Sequence, residues 1–264
     1  MSFFCVDSVA AGYGTVNIIE NCSFSVEKGT IVGILGANGS GKTTLLKAIC
    51  GILPHCGTCS LDGTVLEALT VRQTARLLSY IPQRSGIAID ISPLDVVLMG
   101  FNPKLGLLEH PTRAMKELAQ RTLAQVGLGG KEHVNYLHLS EGQKQLCILA
   151  RTLVSDCKLL LLDEPESALD FRLRHQMLEH LRAWVAEKQV SALITLHDPS
   201  LALNGCDKLL LLADGVLIGE LKPRSDSLQE MERLLSQVYG AISLQVCKNR
   251  AGKDVLIMLK EDSE

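Results

Sequence analysis

Apolar residues fall in two rhythms along this chain. Short unbroken runs at residues 30–35, 158–162, 191–196 and 208–212 are as long as strands and lack polar alternation, which predicts strands buried on both faces. Helix-like spacing over 45–51, 145–154 and 171–187 falls between them, so strands and helices alternate and an α/β architecture with a mostly parallel sheet is expected. From 83 to 140 the strand-type runs give way. Ser92-Pro93 reads as the cap and first turn of a helix continuing over 94–100, and 111–126, rich in Ala, Leu, Lys and Arg, reads as a long helix. This predicts a helical lobe at about 84–144, inserted into a core of about 1–83 and 145–221. The remaining segment, about 222–264, predicts an amphipathic helix over 227–239 and a hairpin in which 242–247 and 255–259 flank a polar turn.

Composition narrows the class. With 264 residues, 47% hydrophobic and 21% charged, the chain can bury a substantial core without disulfides. A net charge of −3 and a pI near 6.2 give no basic field, so no nucleic-acid partner is expected. The nine cysteines are odd in number and scattered through apolar runs, which suggests reduced thiols in a cytosolic compartment. Cys56-Gly57-Thr58-Cys59, preceded by His55, gathers potential ligands, but it lacks a second ligand pair. It reads as a turn ahead of Ser60-Leu61-Asp62-Gly63 rather than a zinc or redox site. No run approaches the roughly 18 apolar residues of a membrane span, and residues 1–10 lack the pattern of a signal peptide.

The chemistry begins after the run at 30–35. In Gly36-Ala37-Asn38-Gly39-Ser40-Gly41-Lys42-Thr43-Thr44, Gly36, Gly39 and Gly41 let backbone N–H groups turn toward phosphates, and the helix that follows offers free donors and a positive dipole end. Lys42 supplies a cation for the β and γ phosphates, and the Thr43 hydroxyl a ligand for Mg²⁺. A bound ATP or GTP is implied. Later, Leu159 to Leu162 run into Asp163 and Glu164 at a predicted strand end, where open parallel sheets place ligand chemistry. Asp163 can hold the Mg²⁺ shell and Glu164 can orient or deprotonate the attacking water.

In this order the motifs resemble the ATP-binding cassette ATPases: GANGSGKT at 36–43, Gln83 after 78–81, LSEGQ at 139–143, LLLLDEP at 159–165, SALD at 167–170, and His197 after 191–196. The resemblance spans about 3 to 221. It implies a P-loop NTPase (RecA-like) core with a mostly parallel sheet, an N-terminal antiparallel β subdomain and the inserted helical lobe. It also implies ATP and Mg²⁺ as cofactors. Gly36, Asn38, Gly39, Ser40, Gly41, Lys42, Thr43 and Thr44 would surround the phosphates and Tyr13 would stack on adenine. Thr43, Gln83 and Asp163 would serve Mg²⁺, and Glu164, Gln83 and His197 the catalytic step. Two copies would pair head to tail, bringing Ser140, Gly142 and Gln143 of one to the nucleotide of the other, with Ser167 and Asp170 coupling the two sites.

A cassette without a membrane span implies a motor on the cytoplasmic face of the cell membrane, attached to a transmembrane permease made by other chains and served indirectly by a substrate-binding protein. Residues 91–100 with Pro103, and the tail Gln237-Val238-Tyr239-Gly240, resemble importers for chelated metals: iron siderophores, heme and cobalamin. The alternative is a soluble assembly ATPase such as that of iron-sulfur cluster biogenesis. Cassettes of DNA repair carry long coiled coils between the loop and the signature, and the short stretch from Thr44 to Leu139 excludes them. Two positions depart from the family pattern. Glu141 stands where glycine is usual and is expected to point outward, and Glu166 stands where Thr or Ser commonly follows the proline.

Overall fold

The computed structural model describes residues 2–83, 86–106 and 108–261; positions 84 and 85, where the expected helical lobe begins, and 262–264, where the expected C-terminal segment ends, lie outside them. The strands are β1 (Phe4–Tyr13), β2 (Val16–Val26), β3 (Ile31–Leu35), β4 (His55–Leu61), β5 (Thr64–Val65), β6 (Leu78–Ile81), β7 (Leu159–Asp163), β8 (Ser191–Thr195), β9 (Lys208–Ala213), β10 (Val216–Leu221), β11 (Ile242–Lys248) and β12 (Asp254–Lys260). The helices are α1 (Lys42–Ile49), α2 (Val71–Leu77), α3 (Pro93–Leu98), α4 (Arg113–Gln125), α5 (Glu141–Leu153), α6 (Phe171–Lys188), α7 (Pro199–Gly205) and α8 (Leu228–Tyr239). The chain divides into two compact units, Met1–Glu67 with Ser191–Glu264, and Ala68–Val190.

In the first unit an antiparallel sheet runs in the order β2-β1-β4-β5, as the family resemblance implied. β1 opposes β2 from Phe4↔Val26 to Tyr13↔Val16 and opposes β4 from Phe4↔Leu61 to Ala11↔His55. The segment expected as a turn at 56–59 is therefore strand, and the tight turn falls at Asp62-Gly63, both with positive φ. The second set of strands runs β10-β9-β3-β8, with β3 parallel to both β8 and β9 and β10 returning antiparallel. Every residue of β3 and β8 is buried, which is why their sequences show no alternation. α8 buries Met231, Leu234 and Leu235, and β11 pairs with β12 in the expected hairpin. Asn204 of α7 holds that hairpin, donating to the Leu256 carbonyl at 2.7 Å and accepting its N–H at 3.0 Å.

In the second unit β6 and β7 pair in parallel from Leu78↔Leu159 to Ile81↔Leu162. α5 is the spine of its helices: Leu146, Cys147, Ile148, Leu149 and Ala150 are buried, and α3, α4 and β6 pack on it. α5 begins ahead of the expected 145 because the Ser140 hydroxyl caps it. The Trp184 indole donates to the Leu153 carbonyl at 3.1 Å and fixes α6 to the end of α5. α2 carries a Thr70–Gln73 capping box but buries no residue, so it has no apolar stripe by which its sequence could announce it. No helix among the described residues is long and apolar enough to cross a membrane.

Candidate active site

The first unit carries the glycine-rich loop between β3 and α1. Gly41 is the N-cap of α1 with φ 100 and makes no side-chain cap hydrogen bond, so first-turn N–H groups face outward without a capping side chain. A Cβ at Gly41 would sit 2.5 Å from Ile19 Cδ1, a side-chain end that can shift, so it is the positive φ that calls for glycine. The Lys42 ammonium donates to the carbonyls of Gly36 at 3.0 Å and Ala37 at 3.1 Å, curling the loop around a cation. Ser40 N–H closes a turn on the Ala37 carbonyl at 3.2 Å, and its buried hydroxyl has no hydrogen-bond partner. Asn38 and Gly39 are exposed at the loop crest, while Thr43 and Thr44 lie in the first turn of α1. A ring of donors, a lysine and an unsatisfied hydroxyl suit a polyphosphate.

Three more residues of this unit are Tyr13, His197 and Tyr239. Tyr13 ends β1 with 51% of its surface exposed, available for stacking. His197 is exposed between β8 and α7; the neighbouring Asp198, not the histidine, caps α7 by accepting the Leu201 N–H at 3.0 Å. Tyr239, at the end of α8, lies near the backbone of Gly36, the first residue of the loop. Burial pushes its phenol up to about 12, with the Gly36 backbone opposing the rise and the charge of Asp198 adding to it.

The second unit carries the carboxylates. Leu159 to Leu162 are fully buried, and β7 delivers Asp163 and Glu164 at its C-terminal end with 1% and 7% exposure. Tyr80 of the parallel neighbour β6 donates its hydroxyl to Asp163 Oδ2 at 3.2 Å. Gln83, just past β6, donates its amide to Glu164 Oε2 at 2.6 Å, and the Gln145 amide of α5 holds the Gln83 carbonyl at 2.6 Å. Glu164 adopts φ 47, a left-handed backbone that costs a non-glycine residue on the order of 1–3 kcal/mol, the kind of strain that gathers at functional positions. A carboxylate, an amide and a hydroxyl are hard oxygen donors, the chemistry Mg²⁺ prefers.

The signature segment opens α5. The Ser140 hydroxyl accepts the Gln143 N–H at 3.3 Å and the Gln143 side chain accepts the Ser140 N–H at 3.2 Å, a reciprocal capping box. Glu141 points outward as expected, with a side chain 78% exposed and paired to Lys144 at 2.7 Å. Asp170 caps α6 by accepting the Leu173 N–H at 2.8 Å, and the Ser167 N–H donates to the Glu164 carbonyl at 3.1 Å. Glu166 is 1% exposed, so this departure from the family pattern places a carboxyl group in the interior.

Sequence reasoning missed Tyr80, Gln145 and Tyr239. Tyr80 could have been found from β6, since Gln83 was already placed after that strand; the other two act across sequence separations that carry no local signal.

A phosphate-type loop at a strand-to-helix turn, with paired acids at the end of a buried strand, defines a nucleoside triphosphatase of mixed α/β fold. The sequence profile of the ABC transporter family matches residues 19–167, and the chain belongs to that family, as an ATPase. It is 36% identical over 236 residues to the hemin import ATP-binding protein HmuV of Bordetella bronchiseptica, covering 86% of this chain and 88% of that one. It is 34% identical over 210 residues to the manganese transport system ATP-binding protein MntB of Bacillus subtilis, covering 78% and 82%. Among solved structures it resembles an inward-facing protein assigned to the metal-chelate type of ABC transporter, at TM-score 0.82, 25% identity and 99% coverage of both chains.

Proposed function

We propose that this chain is the ATP-hydrolysing motor of an importer, acting as a pair of copies on the cytoplasmic face of a separate membrane permease. Its cargo is a chelated metal, of the iron-siderophore, heme or cobalamin kind. The ATPase reading rests on the Gln83–Glu164 hydrogen bond, which fixes a buried carboxylate at a strand end by a group unable to take its proton. The transport reading is supported by the relatives named for hemin and manganese transport and by the metal-chelate transporter of like fold. Neither relative named above is a soluble assembly ATPase.

The site residues take the following roles. Gly36, Asn38, Gly39, Ser40, Gly41, Lys42 and Thr44 bind phosphates, and Tyr13 stacks on the base. Thr43, Asp163 and Gln83 serve Mg²⁺, which when bound supplies charge neutralisation on the phosphate oxygens. Glu164 accepts the proton of the attacking water, with His197 beside the terminal phosphate. Ser140, Gly142 and Gln143 present the start of α5 to the nucleotide of a second copy.

A cleft of about 690 Å³, lined in part by Gln83, Ile87, Glu141, Lys144 and Gln145, is the candidate seat for a permease helix, since a partner there would touch the residue that holds Glu164. The segment 91–100, resembling the importer lobe, buries Pro93, Leu94, Val96, Val97 and Leu98, which leaves Asp95 as its exposed contact. Affinity purification from detergent-solubilised membranes tests the reading. A polytopic membrane protein that raises ATP turnover supports it, and a soluble scaffold as the stable partner overturns it. Uptake of metal chelates by the reconstituted complex, compared with free manganese, tests the cargo.

A further inference from the structure

The geometry points to a transition-metal site of the zinc class on the N-terminal antiparallel sheet, built from His55, Cys59 and Glu67 and independent of the importer reading. An imidazole nitrogen, a thiol sulfur and a carboxylate oxygen from these three residues lie within 4.8 Å of one another. His55 Nε2 and Glu67 Oε1 are 2.9 Å apart, and the same Oε1 accepts the Cys59 N–H at 2.7 Å. Tetrahedral zinc holds N, S and O donors at about 2.0–2.3 Å, so its ligands stand roughly 3.3–3.8 Å from one another. The widest separation, up to 4.8 Å, has to shorten by about 1 Å to reach that arrangement.

The sequence explains why these residues meet. On a straight strand the Cα atoms of His55 and Cys59 would be about 13 Å apart. β4 is bent instead: Gly57 has φ 86, and the register against β1 shifts between Asp7 and Ala10. A Cβ at Gly57 would lie 2.5 Å from the carbonyl oxygens of both Asp7 and Ser8, so the bend requires glycine. β5 then pairs back on β4 through Ser60↔Val65 and Leu61↔Thr64, and the short 3-10 turn Leu66–Ala68 returns Glu67 to the other two. Cys56, the neighbour that made the sequence look like a ligand pair, is exposed and outside the cluster.

The donor set decides the class of ion. Thiolate with imidazole selects zinc-like metals over Mg²⁺ and Ca²⁺, which take oxygen. Cys59 is fully buried, while the side chains of His55 and Glu67 are 9% and 31% exposed, so an ion enters from the carboxylate side. Binding releases the Cys59 thiol proton to solvent, forms the metal–sulfur bond and leaves the fourth position to water; nothing is oxidised or reduced. The ion would clamp β4 to the turn after β5.

The test uses the whole purified chain, stripped by a chelator and titrated with Zn²⁺ against a chromophoric competitor, with Co²⁺ as the spectroscopic probe. One ion per chain, a thiolate-to-cobalt band in the near ultraviolet and a raised melting temperature are expected. Cys59→Ser and Glu67→Gln should each weaken binding at least about 100-fold, since loss of even outer-shell partners costs 10–100-fold, and Cys56→Ser should change nothing. If Cys59→Ser fails to fold, Glu67→Gln carries the same comparison. Binding by the unaltered chain no tighter than by these variants, or a cobalt band that survives Cys59→Ser, overturns the proposal.

Discussion

The Gln83 amide donates to Glu164 Oε2 across 2.6 Å, and the Gln145 amide in turn holds the Gln83 carbonyl at the same distance. A carboxylate that must accept a proton from water needs a partner that orients it without competing for that proton, and a primary amide is such a partner. Glu164→Gln should lower ATP hydrolysis by roughly 10²–10⁴-fold, the usual contribution of a positioned base, while leaving nucleotide affinity nearly unchanged. Lys42→Ala should do the reverse and weaken affinity first, because Lys42 supplies the cation of the loop. Phosphate release and nucleotide titration separate the two; near-normal turnover by Glu164→Gln would remove Glu164 from the catalytic role.

Tyr239 brings the end of the C-terminal helix beside the glycine-rich loop, where the Gly36 backbone opposes the rise of its phenol. Removing the hydroxyl by Tyr239→Phe keeps the ring and should cost about 1 kcal/mol, the scale of one hydrogen bond. ATP affinity should fall about fivefold with little change in turnover at saturation. An unaltered dissociation constant would show that α8 packs beside the loop without steadying it.

How much of this was legible in the sequence depended on range. The strand-to-helix placement of the loop from Gly36 to Thr44 and the strand-end placement of Asp163 and Glu164 were readable because they follow from the buried runs of β3 and β7. β4 was misread as a turn because Gly57 and Cys56 break its alternation, and it is strand only because β1 supplies the pairing. Glu67 could not be tied to His55 and Cys59 from sequence, since the tie depends on the bend at Gly57. The hidden position of Glu166 has no local signal at all.

Glu141 tests whether a charge in the signature opposes pairing of two copies. Its side chain is 78% exposed and paired with Lys144, so its field is screened and the pair is worth at most about 1 kcal/mol. In a Glu164→Gln background, where ATP should trap the paired state, Glu141→Gly should change dimer affinity by less than about fivefold by light scattering. The monomer should lose about 1 kcal/mol, from glycine in the first turn of α5 and a lost favourable charge at its N-terminus. A large gain in dimer affinity that shrinks with added salt would instead reveal an electrostatic brake.

Buried thiols should weaken the fold at alkaline pH. Burial pushes Cys147 from an ordinary 9.0 to about 12, with the charge of Arg151 opposing the rise, and pushes Cys157 to about 11. Below pH 9 these thiols keep their protons in both folded and unfolded chains and leave stability unchanged. Above it the unfolded chain releases protons that the native state retains, so stability falls as pH rises toward the folded values. At about pH 10 the loss is about 1.4 kcal/mol for each such thiol. Denaturant melts at about pH 8 and about pH 10 should show this fall, and Cys147→Ser, which keeps a donor for the Pro93 carbonyl, should show a smaller one. If the two proteins lose stability in parallel, Cys147 does not contribute to the alkaline transition.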